Sequence, residues 1–332
     1  MKKNVVLTKK QLKELVKRIV VAQGNAFIKE LLRSTGSKIG ATKEDFAKNL
    51  DDAIDKDIIT QEMLETWLAE VEGWGDQYLY LFNSPKVDTE TLAAGIAASP
   101  YAKCQDSGVS LDFPEGLELK HITLDKASLS IVWHQSKQGW NRWKVKDHFA
   151  EMELERFRYE AYRQRFDRSV VRYEWRFDDD YCAILIHRNP DIDHEVVHSH
   201  VQEALYEMGF PTNAPLARIP LSQAVKIAAR NDKGVHTTRF ELDNGYVEMG
   251  STLPEGGIES VKEVRGVLHA VDTNLFDRAQ GMLHFVEGEH GTSRRIAVQV
   301  YGSEGKLRIW AQCKRDDVFK VVELLWGYNN EI

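Results

Sequence analysis

From Ser169 to Phe210 the apolar positions change period within one continuous stretch. SVVRYEWRF and YCAILIHR read as strands, and DDD between them marks a tight turn. DHEVVHSHVQEALYEMGF then sets Val201 and Leu205 at helical spacing. The order repeats at the end of the chain in RRIAVQVY, GSEG, KLRIWAQC and DDVFKVVELLWGY. In both places a hairpin hands over to an amphipathic helix, which must lie back on the sheet to cover its apolar stripe. The pattern predicts an α+β protein: antiparallel sheet covered by helices, either as two sheets or as one sheet of two similar halves.

Ahead of these units the period is helical. Thr8 is a candidate N-cap for a helix carrying Leu12, Leu15, Val16, Ile19 and Val20. Gly24 and Asn25 interrupt it, and Phe27, Ile28, Leu31 and Leu32 resume the stripe. Thr42 with Asp45 forms a capping pair before Phe46, Leu50 and Ile54. Thr60 precedes Leu64, Trp67, Leu68 and Val71, and Gly73 and Gly75 stop that helix. These features predict a helical bundle over 1–83, leaving at Asn83 to Pro85, and then an alanine-rich linker with one short helix over 84–116. Two α+β segments follow, over 117–210 and 211–332. LELKHITLD and SLSIVWHQ read as the first strand pair. The segment 147–168 mixes strong helix formers with aromatics and leans towards helix. Beyond Phe210 the pattern predicts a helix from Leu221 to Arg230 and a hairpin turning at Asn244 and Gly245. Strands are expected around Val264 to Val271 and Met282 to Glu287.

With 332 residues the chain is long enough for two or three domains, and 42% hydrophobic against 29% charged residues fits a well-packed soluble class. A formal net charge of -7 argues against a protein basic all over and leaves room for a local basic patch. Cys104, Cys182 and Cys313 are few and far apart, which points to a reducing intracellular setting, cytoplasmic or nucleoid/nuclear. No run approaches the roughly 20 apolar residues of a membrane helix, so no membrane association is expected.

Two constellations could carry chemistry. His194-Glu195-Val196-Val197-His198 has the spacing at which two imidazoles on one helix face hold Zn²⁺ and the glutamate polarises a water. The alternative is that these are partly buried histidines on a packing helix. His200 stands where zinc peptidases usually carry an apolar residue, and no downstream helix offers an obvious third ligand. The second constellation is a belt of basic and aromatic residues. Arg142 and Lys144 flank Trp143, and Arg156, Arg158, Arg163, Arg165, Arg168, Arg172 and Arg176 alternate with Phe157, Tyr159, Tyr162, Phe166, Tyr173 and Trp175. Arginine contacts phosphates and aromatics stack on bases, whereas the interleaved glutamates allow an ion-paired sheet face instead. Lys10, Lys13 and Lys17 share the polar face of the first helix and are candidate phosphate contacts.

LELKHITLDKASLSIVWHQ and IPLSQAVKIAARNDKGVHTTRFELDNGYVEM resemble segments of the centromere protein N family, as does the order of parts. The resemblance implies a death-fold-like N-terminal bundle and a non-enzymatic scaffold that binds DNA through basic residues of the bundle and of the sheet region. The leading expectation is therefore a nucleic-acid-associated adaptor, DNA favoured, with a protein partner and no cofactor. A zinc hydrolase centred on His194, Glu195 and His198 is one alternative. A protein-interaction module acting through the bundle is another.

Overall fold

Thr8 accepts a hydrogen bond from Gln11 N while Gln11 reaches back to the cap, and this box opens α1 (Lys9–Arg18). α1 packs with α2 (Asn25–Ser34), α3 (Lys43–Asp55), capped by Thr42 and Asp45, and α4 (Gln61–Val71), capped by Thr60. Leu15, Val16, Ile28, Leu32, Phe46, Leu50 and Leu64 fill the bundle interior. In the computed structural model, residues 6–331 are described apart from 109, 111, 153–154, 188–191, 212–215, 232–234, 243–244, 252–256 and 274–277.

The chain leaves the bundle earlier than its apolar pattern suggests. Gly73 and Gly75, at φ +71 and +73, turn it straight into β1 (Gly75–Asn83). This strand lies inside the sheet, so residues 76–83 belong to the sheet and not to the helical bundle. A Cβ at Gly75 would stand 2.2 Å from the carbonyl oxygen of Ala311 and 2.5 Å from Cys313 N. Gly75→Ala is expected to cost about 2 kcal/mol or more, through both the left-handed backbone and the clash, read as a lower urea midpoint.

α5 (Thr89–Ala98), capped by Asp88, is the one short helix expected over 84–116, and it buries Leu92 and Ile96. β2 (Glu118–Leu124) and β3 (Ser128–Arg142) follow. Over 147–168 the expected helix is replaced by β4 (His148–Met152), β5 (Glu155–Tyr159) and the start of β6 (Tyr162–Arg176). β6 pairs with β3 along its whole length and β4 pairs with β5, and this pairing overrides the helix propensity of Glu, Met and Arg here. β7 (Tyr181–His187) and α6 (His194–Glu207) complete the predicted hairpin and helix. α7 (Ser222–Asn231), β8 (Val235–Leu242) and β9 (Gly245–Gly250) also match expectation, although Asn244 lies outside the described residues. Around Val264 to Val271 the chain forms a helix, α8 (Lys262–Thr273), where a strand was expected. Val264, Val267 and Val271 recur at three- and four-residue intervals, a helical period. β10 (Arg278–Phe285), β11 (Ile296–Tyr301), β12 (Lys306–Gln312) and α9 (Arg315–Asn330) close the chain.

Among the described residues, ten strands form one antiparallel sheet in the order β2-β3-β6-β7-β1-β12-β11-β10-β8-β9. Its two faces are covered differently. Ile131, Trp133, Tyr173, Ile184 and Tyr80 meet Val197, Val201 and Leu205 of α6. The alternate residues Ala183, Leu185, Leu79, Leu81 and Ile309 meet Val318, Val321 and Leu325 of α9 and, with it, α7. Thus α5 and α6 cover one face of the first strands, and α7 and α9 cover the opposite face of the later ones. The bundle docks on the α9 side. There Trp74 packs on Phe319 (centroids 5.7 Å apart) and under the Arg172 guanidinium (4.8 Å). Among the described residues, no helix is long and apolar enough to cross a membrane.

Candidate nucleic-acid interface

β3 and β6 outrun their neighbours. β2 stops pairing at His134 and β7 at Val171, while the β3–β6 ladder runs on from Gln135↔Ser169 to Arg142↔Tyr162. The result is a two-stranded arm, roughly 25 Å long at the usual rise per strand residue. Past its end, Trp143 N donates to Ala161 O (2.8 Å), and the β4–β5 ribbon continues the projection. Asp147 fastens this joint, accepting from Arg142 (2.6 Å) and Ala161 N (3.0 Å). Both bonds, the first being the stronger, hold its carboxyl below the ordinary range.

The aromatic rings of this projection are exposed: Trp140 is 67% accessible, Phe149 59% and Tyr162 51%, with Trp143, Phe157 and Tyr159 also open. Cations sit over several of them. Arg156 lies 4.5 Å from the Phe149 ring, and Lys146 and Arg163 lie 5.7 and 5.6 Å from Trp143. Arg142 and Arg158 share Asp147 and Glu160 as partners. Among the described residues, Lys144, Lys146, Arg156 and Arg163 form no carboxylate pair. The strand of Arg165 is part of the arm, and its side chain lies outside the description.

The remaining basic candidates are placed elsewhere. Arg168 is interior: its Nε donates to Glu72 (2.9 Å) and its Nη1 to Ser110 O (2.6 Å). Arg172 donates to Glu72 O (3.0 Å), and its Nε is shut off from solvent. These two hold the bundle onto the sheet, and burial removes them from the set of phosphate contacts. Arg176 is bonded to Asp179 (2.7 Å) and Tyr181 (3.1 Å). On α1, Lys13 meets Asp55 (2.7 Å) and Lys17 meets Asp51 (3.6 Å), so these lysines face the acidic end of α3, while Lys10 is exposed. Positive charge beside the C-terminal turn of α3 also offsets its dipole and its own aspartates. The α1 lysines and the belt arginines thus do not join into one stripe.

HEVVH forms the first turns of α6. His194 Nδ1 hydrogen-bonds the Tyr80 hydroxyl (2.7 Å), and Arg218 donates to His198 Nδ1 (2.8 Å) while pairing with Glu195. Accepting at Nδ1 puts the His198 proton on Nε2, which is sealed from solvent and has no partner. Burial first, then the Arg218 charge, pushes His198 down to about 4. Among the described residues, no three His, Cys, Asp or Glu side chains are grouped to hold a metal ion. The Arg218 guanidinium thus lies between Glu195 and His198 and is hydrogen-bonded to both.

A cleft of about 630 Å³ separates α4 from the sheet, lined by Glu65, Glu72, Lys120, His121, His134 and Arg172. Its polar groups are largely engaged: Lys120 pairs with Glu118 (2.8 Å), and His121 bonds Ser107 (3.1 Å) and Thr123 (2.7 Å).

One cluster was not singled out from the sequence. On the α6 side of the sheet, past the first turn of α6, Tyr301, Lys306, Arg308 and Trp310 share a face, and Tyr78 borders it against the His194 ring of α6 (centroids 4.7 Å). Alternation in KLRIWAQ carries the signal for Lys306, Arg308 and Trp310, with Leu307 and Ile309 buried between them. Tyr78 joins them only through the β1–β12 pairing. No family model, curated protein or solved structure matches the chain.

Proposed function

We propose that this protein is a non-enzymatic, nucleic-acid-associated adaptor whose contact element is the β3–β6 arm with its β4–β5 tip. The observation that carries the reading is the tip itself. Apart from the half-buried Ala150, every described residue of the β4–β5 ribbon is exposed. A two-stranded ribbon bare on both faces is marginal in water, and a ligand laid along it would supply the missing cover. The chemistry on offer is flat rings interleaved with cations, which stack on bases and contact phosphates. Residues 137–167 hold eight Lys and Arg against six Asp and Glu, a positive balance in a chain of net charge -7. An anionic polymer is thereby drawn to the arm and away from the rest of the surface.

Fluorescence anisotropy with labelled duplex and single-stranded DNA and RNA, across a salt series, tests this. A charge-reversal variant of the arm (Lys144→Glu, Lys146→Glu, Arg156→Glu, Arg163→Glu) is expected to lose at least about tenfold in affinity at low salt. The slope of log affinity against log salt should fall by about one per lost phosphate contact. Absence of binding by the wild-type chain to any of these nucleic acids at low salt overturns the reading. So does salt-insensitive self-association through the arm, which would make it a protein contact.

A further inference from the structure

We infer that the sheet face of β12, β11 and β10, bordered by the half-buried Tyr78 of β1, is a second contact surface, a stacking platform for unpaired bases of single-stranded nucleic acid. This rests on the nucleic-acid reading above but on none of the arm's residues.

The register sets the platform out in rows that cross the strands. One row runs Tyr78, Arg308, Gln299 and Met282, each directly opposite the next. The adjacent row runs Lys306, Tyr301 and Gln280. Trp310, two residues beyond Arg308, stands 43% exposed over the end of the face. Neighbouring strands lie about 4.8 Å apart, so the rings and amides of a row are spaced on the scale of successive nucleotides. Every strand here buries its other side: Leu307 and Ile309, Val298 and Val300, and Leu283 form the core under α7 and α9. The outward residues are consequently free of any structural duty in that core, yet three of them are aromatic and two cationic.

The cations are already placed against the rings. The Arg308 guanidinium lies 3.4 Å from the Trp310 ring centroid and 5.2 Å from Tyr78, and Lys306 lies 4.2 Å from Tyr301. Glu304 pairs with Lys306 at 2.5 Å. Rings offer their π-faces to bases, guanidinium and ammonium groups reach the phosphates, and the amides of Gln299 and Gln280 meet base edges. A paired duplex presents its bases edge-on inside grooves and cannot lay them flat on a sheet. Single strands are therefore the class this face takes, and sequence preference should be weak because every base has a π-face.

The experiment compares fluorescein-labelled oligothymidine, oligouridine and a short duplex on the full chain, the arm variant described above and two platform variants. These are Tyr301→Ala with Trp310→Ala, and Arg308→Gln, each checked for an unchanged urea transition. The double variant is expected to lose 10- to 100-fold in affinity for single strands and less than twofold for duplex. Trp310→Phe with Tyr301 intact should keep most of the single-strand affinity, and Arg308→Gln should lower the salt slope. Oligouridine against oligothymidine distinguishes RNA from DNA as the source. Single-strand affinity unchanged in both platform variants overturns the inference, as does an equal loss for duplex and single strand. If only the arm variant loses binding, the platform fails and the adaptor reading stands. If the wild-type chain binds none of the probes, both fail.

Discussion

Glu72→Gln is expected to destabilise the fold by about 3–5 kcal/mol, the range for removing one partner of a buried ion pair. Glu72 is 9% exposed and accepts two hydrogen bonds from Arg168, whose side chain is 3% accessible, while its backbone carbonyl holds Arg172. Burial raises the cost of the carboxylate, but Arg168 and Arg172 outweigh it and hold the group below its ordinary value. A neutral amide leaves the Arg168 guanidinium in the seam without its counter-charge, and takes from Arg172 one of the two carboxylates that act on it, the other being Glu174. Trp74, over which Arg172 lies, then loses its packing against the sheet. Urea unfolding followed by far-ultraviolet circular dichroism reads the loss, and a midpoint equal to wild type would sink the argument. Lys13→Ala, which removes an exposed pair on the bundle surface, should leave the midpoint within error. With a lowered folded pKa, Glu72 contributes stability that is present above its unfolded value and lost as pH falls through the folded one.

The same pair explains why the fold was more legible than the site. Caps and stripes are local: Thr8 with Gln11 and Thr42 with Asp45 announce α1 and α3 within four residues. The closing hairpin and α9 are equally plain. β1 gives little strand signal because Leu79 to Phe82 are buried on both faces, so it lacks the polar alternation of a half-covered strand. The arm is hard to read locally because Arg163, Gln164 and Arg165 obey a partner strand, β3, and not their neighbours in sequence. Whether a cation is free or spent depends on contacts farther off still. Arg168 finds Glu72 across 96 positions and Lys13 finds Asp55 across 42. Composition shows the belt of arginines, and only the register of β3 with β6 sorts the exposed ones from those that staple the bundle. The HEVVH spacing is legible too, but its meaning is set by Arg218, which reaches it from a separate segment.

Acid should undo this protein through its histidines before its carboxylates. His134 is 7% exposed, lies on the same sheet face as Arg168 and Arg172, and its Nδ1 has no partner. Burial first, then the charge of Arg168, holds it down to about 3, against Glu72, which pulls the other way. The unfolded chain protonates this imidazole near pH 6.5 while the native state keeps it neutral. A depressed folded value means that the stability is complete above pH 6.5 and drains as pH falls from there towards 3. The slope is about 1.4 kcal/mol per pH unit, so His134 removes about 3 kcal/mol by pH 4.5. His198, less buried and held at about 4, adds a smaller loss over the same window. Glu174 acts in the opposite sense: burial raises its carboxyl, so its contribution is present at low pH and lost as pH rises through the folded value. That offsets part of the histidine loss in the acid range without reversing it. His134→Leu removes a neutral ring with an unsatisfied nitrogen, so it should cost little at pH 7. Between pH 6.5 and 4.5 its unfolding free energy should fall less steeply than wild type, by about one proton's worth of slope. Urea titrations at each pH measure both lines, and parallel lines would show that His134 takes up its proton in the folded state after all.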